Sequence, residues 1–251
     1  MSIKSKVLAA AATLTLVSGV GAAGALTTAG TASAATPSCG HSCINIFSRV
    51  FGTHSNPRFV LDVFRQSQKV GQPLILFRTS NADPAEDFTV SFQGLVSDFF
   101  AAGLVSAAVN FHYGNGSVAA IDEAALEIEY APFGVNSGLC MGVAATAFQG
   151  EGVTLQPCGV SSKTVWIVDK TPLGNLNALP GFPLINGSDT NFSHPFVLTY
   201  PANANPTDKP RVQVTVTNLT GFAQPGNGGV VPVISSVSSS QLWEQTTGPL
   251  P

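Results

Sequence analysis

Residues 140–166 begin Cys140-Met141-Gly142-Val143, pass through Val153-Thr154-Leu155-Gln156-Pro157-Cys158 and end Thr164-Val165-Trp166, an arrangement the chain uses loosely three times. Upstream, Leu61-Asp62-Val63 leads to Glu86-Asp87-Phe88; downstream, Val197-Leu198-Thr199-Tyr200 leads to Gln241-Leu242-Trp243. Internal repeats govern architecture before local propensity does, because a unit that cannot bury its own apolar face is completed by its neighbours. The chain is therefore read as three related pieces.

Each piece carries strand signals. Alternation at Cys43-Ile44-Asn45-Ile46-Phe47, a turn-rich stretch through Pro57 and the run Phe59-Val60-Leu61 predict a hairpin. A second strand pair is expected at Pro73 to Phe77 and Phe88 to Phe92, across the turn residues Thr79-Ser80-Asn81-Ala82-Asp83-Pro84. The order recurs at Leu126-Glu127-Ile128, Gly138 to Val143, Val153 to Leu155 and Val165 to Ile167, and again at Pro183 to Ile185, Phe196 to Leu198, Arg211 to Thr217 and Leu242-Trp243. Three rounds of four short strands predict an all-β chain with the β-trefoil fold, its repeats at about 43–90, 124–170 and 180–246. The sequence at about 91–123 is an insertion between the first two repeats. Its Leu95, Val96, Phe99, Phe100 and Leu104 fall near helical spacing, which predicts a short helix packed over one end of the barrel; an apolar partner surface is the alternative. Gly221 to Gly229 reads as a loop inserted in the third round.

The N-terminus carries an export signal. Lys4 and Lys6 precede an apolar run from Val7 to Val20, and Ala32-Ser33-Ala34 supplies a cleavage pattern, so residues 1–34 read as a signal peptide. The run is alanine-rich, short and broken by Ser18, Gly19 and Gly21, unlike a membrane helix. No membrane insertion is expected, and Thr36-Pro37-Ser38 before Cys39 offers no lipoprotein box. The expectation is free secretion of a single domain, residues 35–251, from a bacterial cell. Taking Lys4 and Lys6 from a formal net charge of −3 leaves −5. Without clustered basic residues to neutralise phosphates, nucleic acid is excluded as a partner. Four cysteines in an exported chain favour disulfides and allow three connectivities; local spacing favours Cys39 with Cys43 and Cys140 with Cys158, although the first loop is tight.

These residues resemble the ricin B-type lectin family, in which each trefoil repeat has a Cys-Leu-Asp-Val-like start, an apolar strand and a Gln-x-Trp close. The second round matches best, and its cysteine spacing suits the family's intra-repeat disulfide. Gln241-Leu242-Trp243, just before the end of the chain, also resembles this family. Departures mark a diverged member: Phe88 replaces the first Trp, Thr164 replaces the second Gln, and the first and third rounds lack the cysteine pair. The resemblance implies a sugar site made of an Asp at the strand start, an aromatic about fifteen residues later and a polar side chain near the repeat's end. Only the first round keeps the first two, as Asp62 and Phe77, with the amide position falling around Ala85 or Glu86. Gly142 with Gln156, and Thr199 with about Thr215, stand at the corresponding places in the other rounds, which the resemblance reads as dead sites.

The chemistry requires those residue types. A carboxylate accepts hydrogen bonds from adjacent sugar hydroxyls, and an aromatic face packs on the apolar C–H face of the ring. The structural alternatives are a turn-capping carboxylate for Asp62 and a core residue for Phe77. Other constellations carry less. Ser188, Asp189 and His194 are close in sequence, whereas the members of a hydrolytic triad usually converge from distant segments. Cys39, His41 and Cys43 offer three zinc donors in five residues, but export favours the disulfide. Asp122-Glu123 and the pair Glu127 and Glu129 read as solvated acids, and His54 and His112 as surface groups.

The expected function is thus a secreted, non-catalytic, carbohydrate-binding protein with one incomplete sugar site at Asp62 and Phe77, needing no cofactor or metal and taking a glycan or polysaccharide partner. The alternative is a β-trefoil interaction or structural protein that has lost sugar binding and uses its loops for a protein partner.

Overall fold

The computed structural model describes residues 43–53, 56–80, 83–115, 122–168, 181–201, 204–207, 209, 211–220 and 237–247. The expected signal peptide, Cys39, His41, His54 and the Gly221 to Gly229 loop lie outside them. Cys43 is disulfide-bonded. Cys140 and Cys158 are joined in the second round.

Twelve strands carry the architecture. The first round contributes β1 (Ile44–Ser48), β2 (Phe59–Val63), β3 (Leu74–Arg78) and β4 (Phe88–Leu95). The second contributes β5 (Ala124–Tyr130), β6 (Leu139–Val143), β7 (Val153–Pro157) and β8 (Val165–Val168). The third contributes β9 (Leu184–Asn186), β10 (Phe196–Thr199), β11 (Thr215–Asn218) and β12 (Trp243–Thr247). The first and last strands of each round form a ring in the order β12, β1, β4, β5, β8, β9, all antiparallel. Paired backbone hydrogen bonds between Phe182 and Trp243, at 2.9 and 3.0 Å, return β9 to β12 and close it.

The middle strands form three hairpins, β2 with β3, β6 with β7 and β10 with β11. Bridges Pro73 to Thr154, Gly152 to Thr215 and Gln213 to Ile75 link the hairpins cyclically, first to second, second to third and third to first. A six-stranded ring with a threefold hairpin cap is the β-trefoil. The strand positions agree with expectation, but the pairing is displaced by one strand. β1 does not form a hairpin with β2, nor β3 with β4. Alternation marks which residues are strands and is silent about partners, because both pairings bury the same side chains.

The three rounds meet in one core that contains Phe88, Trp166 and Trp243 with Leu61, Met141 and Leu198. The Trp166 indole N–H donates to the Met141 carbonyl at 2.9 Å, and that of Trp243 to the Leu198 carbonyl at 2.8 Å. Phe88 has no donor for Leu61. The closing Gln has an equally regular task, to accept a backbone N–H two residues beyond the third strand of its round. Gln241 accepts from Thr220, and Glu86 does the same for Ser80. Thr164 is too short; its hydroxyl donates to Glu127, which accepts the Gly159 N–H. Glu127 and Glu129 are therefore buried, at 2 % and 5 % exposure, and not the solvated pair expected. Backbone N–H groups from Gly159 and Gly138 satisfy them.

The insertion forms two helices, α1 (Val96–Ala101) and α2 (Ala107–Tyr113). Asp98 accepts the Leu95 N–H to start the first, and Ser106 accepts from Val109 to start the second. Val96, Phe99, Val105 and Val109 pack on Ala125, Val165, Ile167, Ile185 and Val197, the strand faces turned away from the Trp166 core. The helices thus cover the side of the ring and not its end. His112 is half-buried against Phe192, with ring centroids 3.9 Å apart, instead of lying free on the surface. No helix of the described residues is long and apolar enough to cross a membrane.

Replacing Trp166 by Phe removes a donor and leaves the Met141 carbonyl unpaired in the core. We expect a loss of about 1–3 kcal/mol in urea unfolding with the fold retained, since round one already manages with Phe88. An unchanged midpoint would show that the indole bond is not a fold determinant.

Candidate functional site

Asp62 lies on β2 opposite Ile75 of β3, and Phe77 is two residues further along β3 on the same face. Such diagonal neighbours lie about 7–8 Å apart, close enough for one ligand to span. The two side chains line one open pocket of about 210 Å³, so the sequence-predicted pair does come together.

Four of its other lining residues are polar or charged: Arg65, Gln66, Asp83 and Arg211. Arg65 and Gln66 sit in the turn after β2 with φ of 60° and 55°, left-handed geometry that ordinary side chains adopt at a cost of about 1–3 kcal/mol each. This turn lets the Gln66 amide donate to Asp83 at 2.9 Å. Asp83 also caps the short turn Pro84–Glu86 by accepting the Ala85 N–H at 3.0 Å. Arg211 arrives from the third round and lays its guanidinium over the Phe77 ring, 4.7 Å from the centroid, while donating to the Pro206 carbonyl.

The polar side chains beside Asp62 and Phe77 thus include Asp83 and Gln66. At the position expected around Ala85 or Glu86, Ala85 is buried and Glu86 accepts the Ser80 N–H. Asp83 was legible only as a turn residue. Gln66 needed the left-handed turn, and Arg211 needed the closure of the hairpin triangle, for which the sequence carries no local signal.

Asp62 is 4 % exposed and, among the described residues, takes no hydrogen bond. Its carboxyl is pushed up to about 8, first by burial, then by the charge of Asp83, against a smaller opposing effect of Arg211. Glu86 is also raised to about 8, chiefly by burial, with the Ser80 N–H working the other way and Asp83, Asp62 and Asp87 adding to the rise. Asp87 is raised by burial too, although it accepts the Phe133 N–H at 2.8 Å. Burial and repulsion among the carboxyl groups thus favour the neutral form of Asp62 and Glu86, and a neutral carboxyl can donate as well as accept.

The other rounds lack this chemistry. A Cβ at Gly142 would stand 2.7 Å from the Lys163 carbonyl, so no acid fits there without a backbone shift. Thr199 is bonded to Thr217 at 2.8 Å and to Gln241 at 3.3 Å. The serine candidate dissolves as well: the Ser188 hydroxyl donates to Asn186, and Asp189 accepts backbone N–H groups of Asn191 and Phe196. Asp122 caps α1 by accepting the Ser97 N–H.

No protein-family model and no curated protein matches the chain. Among solved structures, it is similar to a designed 3-fold symmetric protein, ThreeFoil, at 15 % identity over 81 % of this chain and 97 % of that one, with a TM-score of 0.46. It is similar to the agglutinin from Abrus precatorius at 10 % identity, over 82 % of this chain and 47 % of that one, with a TM-score of 0.41. The C-half of the earthworm R-type lectin, solved in complex with GalNAc, matches at 13 % identity over 82 % of this chain and 98 % of its own, with a TM-score of 0.38. These neighbours are a threefold design and ricin B-type lectins, while the trefoil assignment itself rests on the strand pairing of this chain.

Because Asp62 and Glu86 hold their protons to higher pH when folded than their ordinary values of 3.8 and 4.5, the unfolded chain releases those protons first as pH rises. In metal-free buffer the thermal midpoint should therefore fall between about pH 4 and about pH 8, and Asp62→Asn with Glu86→Gln should flatten that slope. A midpoint that rises across this window in both proteins would contradict the assigned burial.

Proposed function

We propose that this is a secreted, non-catalytic glycan-binding protein whose single site is the round-one pocket. The observation that supports the reading is the convergence of Asp62 and Phe77 on one pocket, with Gln66 and Asp83 beside them as further hydrogen-bonding groups. Asp62 and Asp83 meet adjacent hydroxyls of a sugar, and the exposed part of the Phe77 ring meets its C–H face. One small site binds a monosaccharide on the order of millimolar to high micromolar, so useful retention comes from an extended glycan or from several copies acting together.

A second reading draws on Arg211, which covers part of the Phe77 ring, and on the exposed Leu95, Phe100 and Phe111 of the insertion. In it the trefoil is an interaction protein and the pocket is vestigial.

The test is retention on an array of oligosaccharides and polysaccharides. Asp62→Ala and Phe77→Ala should each lower retention at least tenfold, with unchanged circular dichroism. Equal retention by both variants refutes the site, and absence of any retention by the folded parent moves the function to the second reading.

A further inference from the structure

We propose that Asp62, Asp83 and Glu86 form a binding site for a divalent cation of the calcium type, with its open coordination positions facing the pocket. That sugar hydroxyls take those positions rests on the glycan reading above; the cation site itself does not.

One carboxylate oxygen from each residue lies within 4.8 Å of the others. An ion that takes oxygens at about 2.4 Å reaches oxygens up to about 4.8 Å apart, the separation across a calcium site. The donors come from three places that the fold unites: the strand β2, the cap of the turn Pro84–Glu86, and the end of that turn. No lysine or arginine nitrogen lies within the 4.0 Å ion-pair distance of any of these three carboxylates among the described residues. Arg211, which also lines the pocket, is directed to the Phe77 ring and the Pro206 carbonyl.

Asp62 supplies an independent sign of a missing ligand. Its side chain lines the pocket, is 96 % buried given its 4 % exposure, and has no hydrogen-bond partner among the described residues. Its carboxyl oxygens keep access to the pocket and have no protein hydrogen-bond partner among the described residues, so a ligand entering the pocket meets them directly. Its two companions are held in place from behind: Asp83 by Gln66 and the Ala85 N–H, Glu86 by the Ser80 N–H. Such outer contacts orient metal ligands and leave the remaining lone pairs available.

The donor set selects the ion. Carboxylate oxygens without imidazole or thiolate favour hard cations over zinc or copper. Three protein ligands satisfy neither the six to eight positions of calcium nor the octahedron of magnesium, so water or ligand oxygens in the pocket must supply the rest. Glu86 stands where the third round has Gln241, and the exchange of amide for acid provides the third carboxylate. With Gly142 and Thr199 at the places of Asp62, the expected stoichiometry is one ion per chain.

The experiment is calorimetric titration of the chelator-stripped full chain with calcium chloride, with thermal unfolding read beside it. Saturable binding at one ion per chain, with a Kd on the order of 0.1–1 mM and a raised unfolding midpoint, is expected. Asp62→Asn and Asp83→Asn should each weaken calcium binding at least tenfold while unfolding without calcium no earlier than the parent. Absence of saturable binding by the parent, or unchanged affinity in both variants, overturns the site. Glycan retention that survives chelator together with a silent calcium titration removes the cation and leaves the lectin reading intact. Calcium binding with no glycan retained does the reverse.

Discussion

A sheet can dispense with free edges only if its last strand returns to its first, and here the return passes through the two backbone hydrogen bonds between Phe182 and Trp243. Everything else is arranged around that ring. Closure sets the inward side chains of six strands against one another, so Phe88, Trp166 and Trp243 share a core. It also turns the three hairpins toward a common axis, where bridges such as Ile75 to Gln213 join the first round to the third. Arg211 can stack on Phe77 because of that junction.

Within this frame a single backbone requirement is met by three different chemistries. Ser80, Gly159 and Thr220 occupy matching positions, and each N–H needs an acceptor. An amide, Gln241, serves the third; a carboxyl, Glu86, serves the first; and the second borrows Glu127 from the neighbouring strand through Thr164. Each choice keeps the backbone bond, but the surroundings differ. In round one the acid adds a third carboxyl to a neighbourhood that already holds Asp62 and Asp83, and burial then raises Asp62 and Glu86 together. The pocket's electrostatic character follows from how a structural bond was preserved.

The three rounds also differ at the positions equivalent to Asp62. Gly142 is packed against the carbonyl of Lys163, and Thr199 is committed to hydroxyl and amide partners in its own round. An acid at Gly142 would meet that carbonyl, and exchange of Thr199 would break those bonds. Round one has its pocket at this place, lined in part by the left-handed turn at Arg65 and Gln66.

By itself the sequence determined the strand content and the threefold echo, because alternation and repeated spacing are local properties of a chain; the pairing of Asp62 with Phe77 as a site came from the family resemblance alone. Only the tertiary structure decided the pairing of β1 with β12 and β4, the burial of Glu127 and Glu129, and the presence of Gln66, Asp83 and Arg211 at the pocket. Strand partners and buried charges depend on which backbone groups meet across long separations. Acid pairs such as Glu127 and Glu129 look solvated until the N–H groups of Gly159 and Gly138 are brought to them. Arg211 lies far from Phe77 along the chain, and ring closure with the hairpin triangle makes them neighbours.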